Sequence, residues 1–121
     1  MPSNKYILIL TNREDITADY VILDLTKRGL PFYRFNTEDF PNKVKLSLNT
    51  RQNSCEGVII SHDFTRSLND VKSIWYRRPI IPSFEGVQID AGVKEFCIKE
   101  SFYALEGVWA TLDCFWVSNP F

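Results

Sequence analysis

Lys5-Tyr6-Ile7-Leu8-Ile9-Leu10-Thr11, then Asp15 to Arg28, then Pro31-Phe32-Tyr33-Arg34-Phe35: these three pieces decide the fold. The first is a continuous apolar run, the pattern of a strand covered on both faces. Asn12-Arg13-Glu14 makes a tight connection, and Asp15 is placed to cap a helix from Ile16 to Arg28. Asp19 stands early in that helix and Lys27 and Arg28 at its end, the charge order that complements a helix dipole. Ala18, Val21, Ile22 and Leu25 share one face, and Gly29 supplies the stop. Strand, helix and strand within about thirty residues form a βαβ unit whose right-handed crossover makes the strands parallel.

Working outward, Val44-Lys45-Leu46-Ser47-Leu48 alternates apolar and polar residues, the sign of a sheet edge wet on one face. Asn49 to Glu56 is rich in turn residues, and Gly57-Val58-Ile59-Ile60 returns as a partner, giving an antiparallel hairpin or edge pair. Ser61 to Asp70 reads as polar loop with at most one helical turn. Val71 to Tyr76 is an aromatic buried strand that runs into Arg77-Arg78-Pro79, where the proline ends pairing. Pro79 to Gly86 is loop, and a long helix is expected over Ile89 to Asp113. It carries two apolar stripes, one of Val93, Cys97, Ala104, Val108 and Leu112, the other of Ile98, Phe102, Leu105 and Trp109. Such a helix is buried on two sides. One stripe is expected on the sheet; the other, with Phe102, Leu105 and Trp109, is expected against a second domain or subunit. The sequence then stops in an aromatic strand and turn, Cys114 to Phe121, which suggests the first domain of something longer.

The chain of 121 residues is expected to be one domain, with 45% hydrophobic, 24% charged and 14% aromatic residues. A net charge of −1 gives no electrostatic case for nucleic acid or an anionic membrane. No apolar run reaches the length of a membrane span, and Met1 to Lys5 leads into a strand, not a signal peptide. Cys55, Cys97 and Cys114 are an odd set without CxxC spacing, and with one His they make no metal set. Cys97 and Cys114 would stand about 25 Å apart on one helix. Reduced thiols in a cytoplasm are the expectation.

No Walker A loop, GxGxxG, GxSxG, CxxC or HExxH occurs. What the sequence offers instead is a rim. Ligands of open parallel sheets gather beyond the C-terminal strand ends, and there Asn12 and Arg13, Asn36 and Thr37, and Arg77 and Arg78 follow three strands. The arginines suit an anionic group or peptide carboxylate. Alternatively they pair internally, Arg13 with Glu14 or Asp15, and Arg77 and Arg78 with Glu38, Asp39 or Glu85.

Several stretches together resemble the start of the ATP-grasp ribosomal peptide maturases, the microviridin-type or graspetide ligases. They are Thr11 to Asp19, Gly29-Leu30-Pro31, Arg34 to Pro41, Ile74-Trp75-Tyr76-Arg77-Arg78-Pro79, Glu100 to Gly107 and Trp116-Val117-Ser118-Asn119-Pro120. Ser118 departs from the pattern, where Asn or a similar residue is expected. The resemblance implies a Rossmann-like pre-ATP-grasp domain: a mainly parallel sheet, an antiparallel edge hairpin and two main helices. It implies that the whole enzyme uses ATP and Mg²⁺, bound by central and C-terminal ATP-grasp domains outside this chain. There a precursor-peptide Asp or Glu carboxylate is phosphorylated, then attacked by a Ser or Thr hydroxyl or a Lys amine. A homodimer is also implied. On this view the chain is not catalytic alone; Arg77, Arg78, Arg13, Asn12 and Asn36 are candidates for substrate or domain contact. Two other readings compete: a free-standing α/β module that dimerises, and a different carboxylate–amine ligase of the glutathione-synthetase sort.

Overall fold

The structure, a computed structural model, describes residues 5–52 and 54–121. The Cys55 side chain and the lead-in at residues 1–4 lie outside the described residues. The elements in order are β1 (Tyr6–Thr11), α1 (Ile16–Lys27), β2 (Phe32–Asn36), β3 (Lys45–Arg51) and β4 (Ser54–Ile60). Then come β5 (Thr65–Ser67), β6 (Val71–Tyr76), α2 (Ala91–Ala110) and β7 (Phe115–Val117). Short 3₁₀ turns, Thr37–Asp39 and Leu68–Asp70, follow β2 and β5.

The expected βαβ unit is present. Asp15 caps α1 by accepting from the Ala18 N–H, and Gly29 leaves the helix at φ +67°. β1 pairs in parallel with β2, Ile7 opposite Phe32 through Thr11 opposite Asn36. It also pairs in parallel with β6, and β6 with β7, so the main sheet runs β2-β1-β6-β7. Strand order reverses between β1 and β6. Right-handed crossovers leaving in opposite directions set α1 and α2 on opposite faces of this sheet.

The hairpin is antiparallel as expected, Leu46 opposite Ile59, but it is not an edge of the main sheet. It builds a separate sheet, β3-β4-β5, whose third strand Thr65–Ser67 falls inside the stretch expected to be loop. The core lies between this sheet, one face of the main sheet, and α2. Leu8, Leu10, Phe35, Ile59, Leu68, Ile74, Leu105 and Trp109 meet there, with Trp109 edge-on to Phe35 at 5.1 Å between centroids.

Two expectations about the long helix are corrected. It ends at Ala110, so Cys114 lies beyond it and not on one helix with Cys97. Leu105 and Trp109, expected on the face turned to a neighbour, are only 3% and 2% exposed, inside this chain's own core; Phe102 is half-buried. The sheet takes the stripe that sequence assigned to a neighbour, plus Val108. The large apolar residues of this helix left in solvent are Val93, Phe96 and Tyr103. Ser118, at φ +60°, sits in the left-handed region, the conformation that explains why Asn would suit it.

Candidate functional site

The strand order makes the crevice between the C-terminal ends of β1 and β6 the natural ligand position of this fold. Here the chain fills it with its own groups. The Arg77 N–H donates to the Leu10 carbonyl at 2.9 Å, continuing the pairing of the two strands. One residue later, Asn12 Nδ2 donates to the Arg78 carbonyl at 2.8 Å, while Asn12 Oδ1 accepts from the Glu14 N–H at 3.0 Å. That single side chain ties the β1 turn to the end of β6.

Asp15 is the hub. Its side chain is almost fully enclosed, with Oδ1 accepting from the Ala18 N–H at 3.2 Å and Oδ2 from the Thr11 hydroxyl at 2.6 Å. Arg77 Nε lies 3.4 Å from the same Oδ2, and its guanidinium sits 5.9 Å from the Trp75 ring centroid. Burial raises the Asp15 pKa, but the Thr11 and Ala18 hydrogen bonds and the Arg77 and Arg78 charges outweigh it. The carboxyl is held below its ordinary value. A helix N-terminus attracts an anion; at α1 that anion is Asp15.

Arg77 and Arg78 therefore have different tasks. Successive residues of extended chain point to opposite sides; Arg77 turns inward to Asp15, not to Glu38, Asp39 or Glu85, and Arg78 is exposed. Arg13 pairs with Asp39, not with Glu14 or Asp15, and its N–H donates to Glu38 Oε2 at 2.9 Å. Asn36 accepts from Arg34 Nε at 3.0 Å. The five rim candidates are thus brought to one end of the sheet, four of them occupied in holding one another or their neighbours.

Sequence reading passed over Arg34 and underrated Thr37. The Arg34 side chain is 18% exposed, pairs with Asp19, and donates to the carbonyls of Asn12, Arg13 and Asp15 at 2.7, 3.2 and 3.3 Å. It is the clamp that shapes the β1–α1 turn. The signal was present: an arginine inside an apolar strand must find acceptors. Buried Thr37 accepts from the Ile80 N–H at 2.8 Å and donates to its carbonyl at 2.5 Å, fastening the loop after Arg78 to the end of β2.

A groove of about 450 Å³ borders this rim. Glu14, Glu38, Asp39 and Glu85 line it against Arg13 and Lys43, so its charge does not favour an added anion. No group of three His, Cys, Asp or Glu residues suited to a metal occurs among the described residues. With Asp15 at the helix N-terminus and acids in the groove, these residues do not fit a nucleotide phosphate.

Residues 6–120 match the family model of the MvdD pre-ATP grasp domain. The chain belongs to that family. No curated protein matches it significantly. Among solved structures, the MvdD-type pre-ATP-grasp domain described here is similar to macrocyclase MdnC of Microcystis aeruginosa MRC, bound with precursor peptide MdnA. The two are 25% identical with a TM-score of 0.83, over 96% of this chain and 38% of that one. Macrocyclase MdnB of the same organism gives 28% identity, TM-score 0.83, and coverage of 95% and 38%. A Chryseobacterium gregarium RiPP-associated ATP-grasp ligase, in complex with ADP and a leader and core peptide, gives 27%, 0.81, and coverage of 96% and 35%. The chain spans less than two fifths of the length of each. The pre-ATP-grasp fold expected from the sequence is the fold observed.

Proposed function

We propose that this pre-ATP-grasp domain is the non-catalytic first part of an ATP-dependent ligase acting in the cytoplasm. That ligase closes rings in a ribosomal precursor peptide, joining an Asp or Glu side chain to a hydroxyl or amine as an ester or amide. The supporting observation is the overlap of nearly the whole chain with a minor part of two macrocyclases and a RiPP-associated ligase. ATP and Mg²⁺ are assigned to central and C-terminal ATP-grasp domains outside this chain, in keeping with the poor fit of its rim to phosphate.

Within that enzyme the domain's contribution is positional. The Asp15–Arg77 pair and the Arg34 clamp fix the rim, and exposed Arg78 is the one rim arginine left to meet a peptide carboxylate or the next domain. The dimer contact is assigned to the exposed Val93 and Phe96 of α2, since Leu105 and Trp109 are used internally. The test is the whole enzyme with its precursor, ATP and Mg²⁺, followed by mass spectrometry. Each ring should remove one water from the peptide. An Arg78→Ala enzyme should turn over about tenfold more slowly at unchanged melting temperature. Unaltered turnover would remove Arg78 from the site, and a precursor that never loses water would overturn the ligase reading.

A further inference from the structure

The outer edge of the second sheet has a pattern that the ligase reading does not use. β3 is the terminal strand of β3-β4-β5, seven residues long, and among the described residues nothing pairs with its other side. An open edge of that length is a template for another extended chain. Leu46 and Leu48 on one face of β3 line an apolar groove of about 850 Å³, with Tyr103 of α2 also on its wall and Leu48 half in solvent. The opposite face carries Lys45, Ser47, Asn49 and Arg51, all exposed, with a cation at each end. Among the described residues neither Lys45 nor Arg51 makes an ion pair; Glu56 of β4, opposite Asn49, is the acid cross-strand from this face.

These charges decide the occupant. If a second copy paired antiparallel through the same edge, centred on Leu48, Lys45 would stand opposite the partner's Arg51 at both ends. Like charges directly opposite are destabilising. A strand with an acid near each end meets a cation at both, in either direction along β3. We propose that the β3 edge takes up an extended peptide segment bearing carboxylates near both ends, with alternate apolar residues over the Leu46–Leu48 groove. This surface lies on the second sheet, not on the β1–β6 crevice, and does not depend on the ligase reading.

The probes are two blocked seven-residue peptides alternating leucine and threonine, one with glutamate and one with lysine at both ends. Each is titrated into the ¹⁵N-labelled chain. The glutamate peptide should shift the β3 amides and bind about tenfold more tightly than its lysine twin. In Lys45→Glu/Arg51→Glu, both exposed sites whose exchange should leave the fold intact by circular dichroism, that order should reverse. Equal binding of the two peptides, no binding, or an order that survives the charge exchange would overturn the proposal. So would protection of the β3 edge amides from exchange in peptide-free protein that self-associates, which would make a second copy the occupant.

Discussion

At the C-terminal ends of β1 and β2, Thr11, Asp15 and Thr37 are almost fully buried and each has partners, whereas β3 carries Lys45, Ser47, Asn49 and Arg51 in open water. Both regions belong to the same small α/β chain, yet they treat polar groups in opposite ways. Buried polar groups that are satisfied fix one geometry and are costly to disturb. The main sheet uses them to lock its rim: Asp15, hydrogen-bonded by Thr11 and Ala18, faces Arg77 as an ion pair in which Arg77 Nε makes no hydrogen bond, Arg34 holds the turn after β1, and Thr37 holds the loop after Arg78. The second sheet puts only Ile59 and its neighbours into the core and leaves an edge unpaired. One sheet is therefore a fixed frame, and the other is a surface that can still acquire a strand.

The sharpest way to break this contrast is to open the core that the frame rests on. Trp109→Ala removes the side chain that closes α2 over Phe35 and should cost about 4 kcal/mol in chemical denaturation. A loss below about 1 kcal/mol would mean that α2 does not seal the sheet.

Asp15→Ala deletes the α1 cap and leaves Arg77 facing a low-polarity site, an expected cost of about 3 kcal/mol. Asp15→Asn keeps a capping acceptor and should cost less. The pH dependence separates charge from capping. The folded pKa of Asp15 is depressed, so the stability it adds is complete above the unfolded value of about 3.9 and is lost as pH falls through the lower folded value. The gap between wild type and Asp15→Asn should be constant above about pH 5 and narrow in acid; a gap that widens there would contradict the assignment.

The second sheet should respond least. Leu48 is 51% exposed, and Leu48→Ala should change stability by about 0.5 kcal/mol or less. A cost matching that of Asp15→Ala would show that the β3 face belongs to the core after all.

The local parts of this fold were legible in the sequence. The apolar run of β1, the Asp15 cap, Gly29 and the aromatic β6 each carry their own physical signal within a few residues. What was not legible depends on choices between equivalent faces or distant partners. Two apolar stripes on α2 look alike in sequence, and only packing decides that Leu105 and Trp109 go inward. Thr65–Ser67 is three polar residues, too short for periodicity to mark as a strand. Arg77 finds Asp15 because β6 lies beside β1, a neighbour relation that exists only once the sheet is assembled. Arg34 is the partial exception, since a charged residue within an apolar strand already asks for acceptors.

The most direct test of the central claim, a fixed rim whose anion position is filled by the protein itself, is calorimetric titration of this chain with ATP and Mg²⁺. No binding heat is expected, because Asp15 occupies the α1 N-terminus and Glu14, Glu38, Asp39 and Glu85 line the adjoining groove. Saturable binding that weakens on Arg78→Ala would place a nucleotide site on this domain and contradict it.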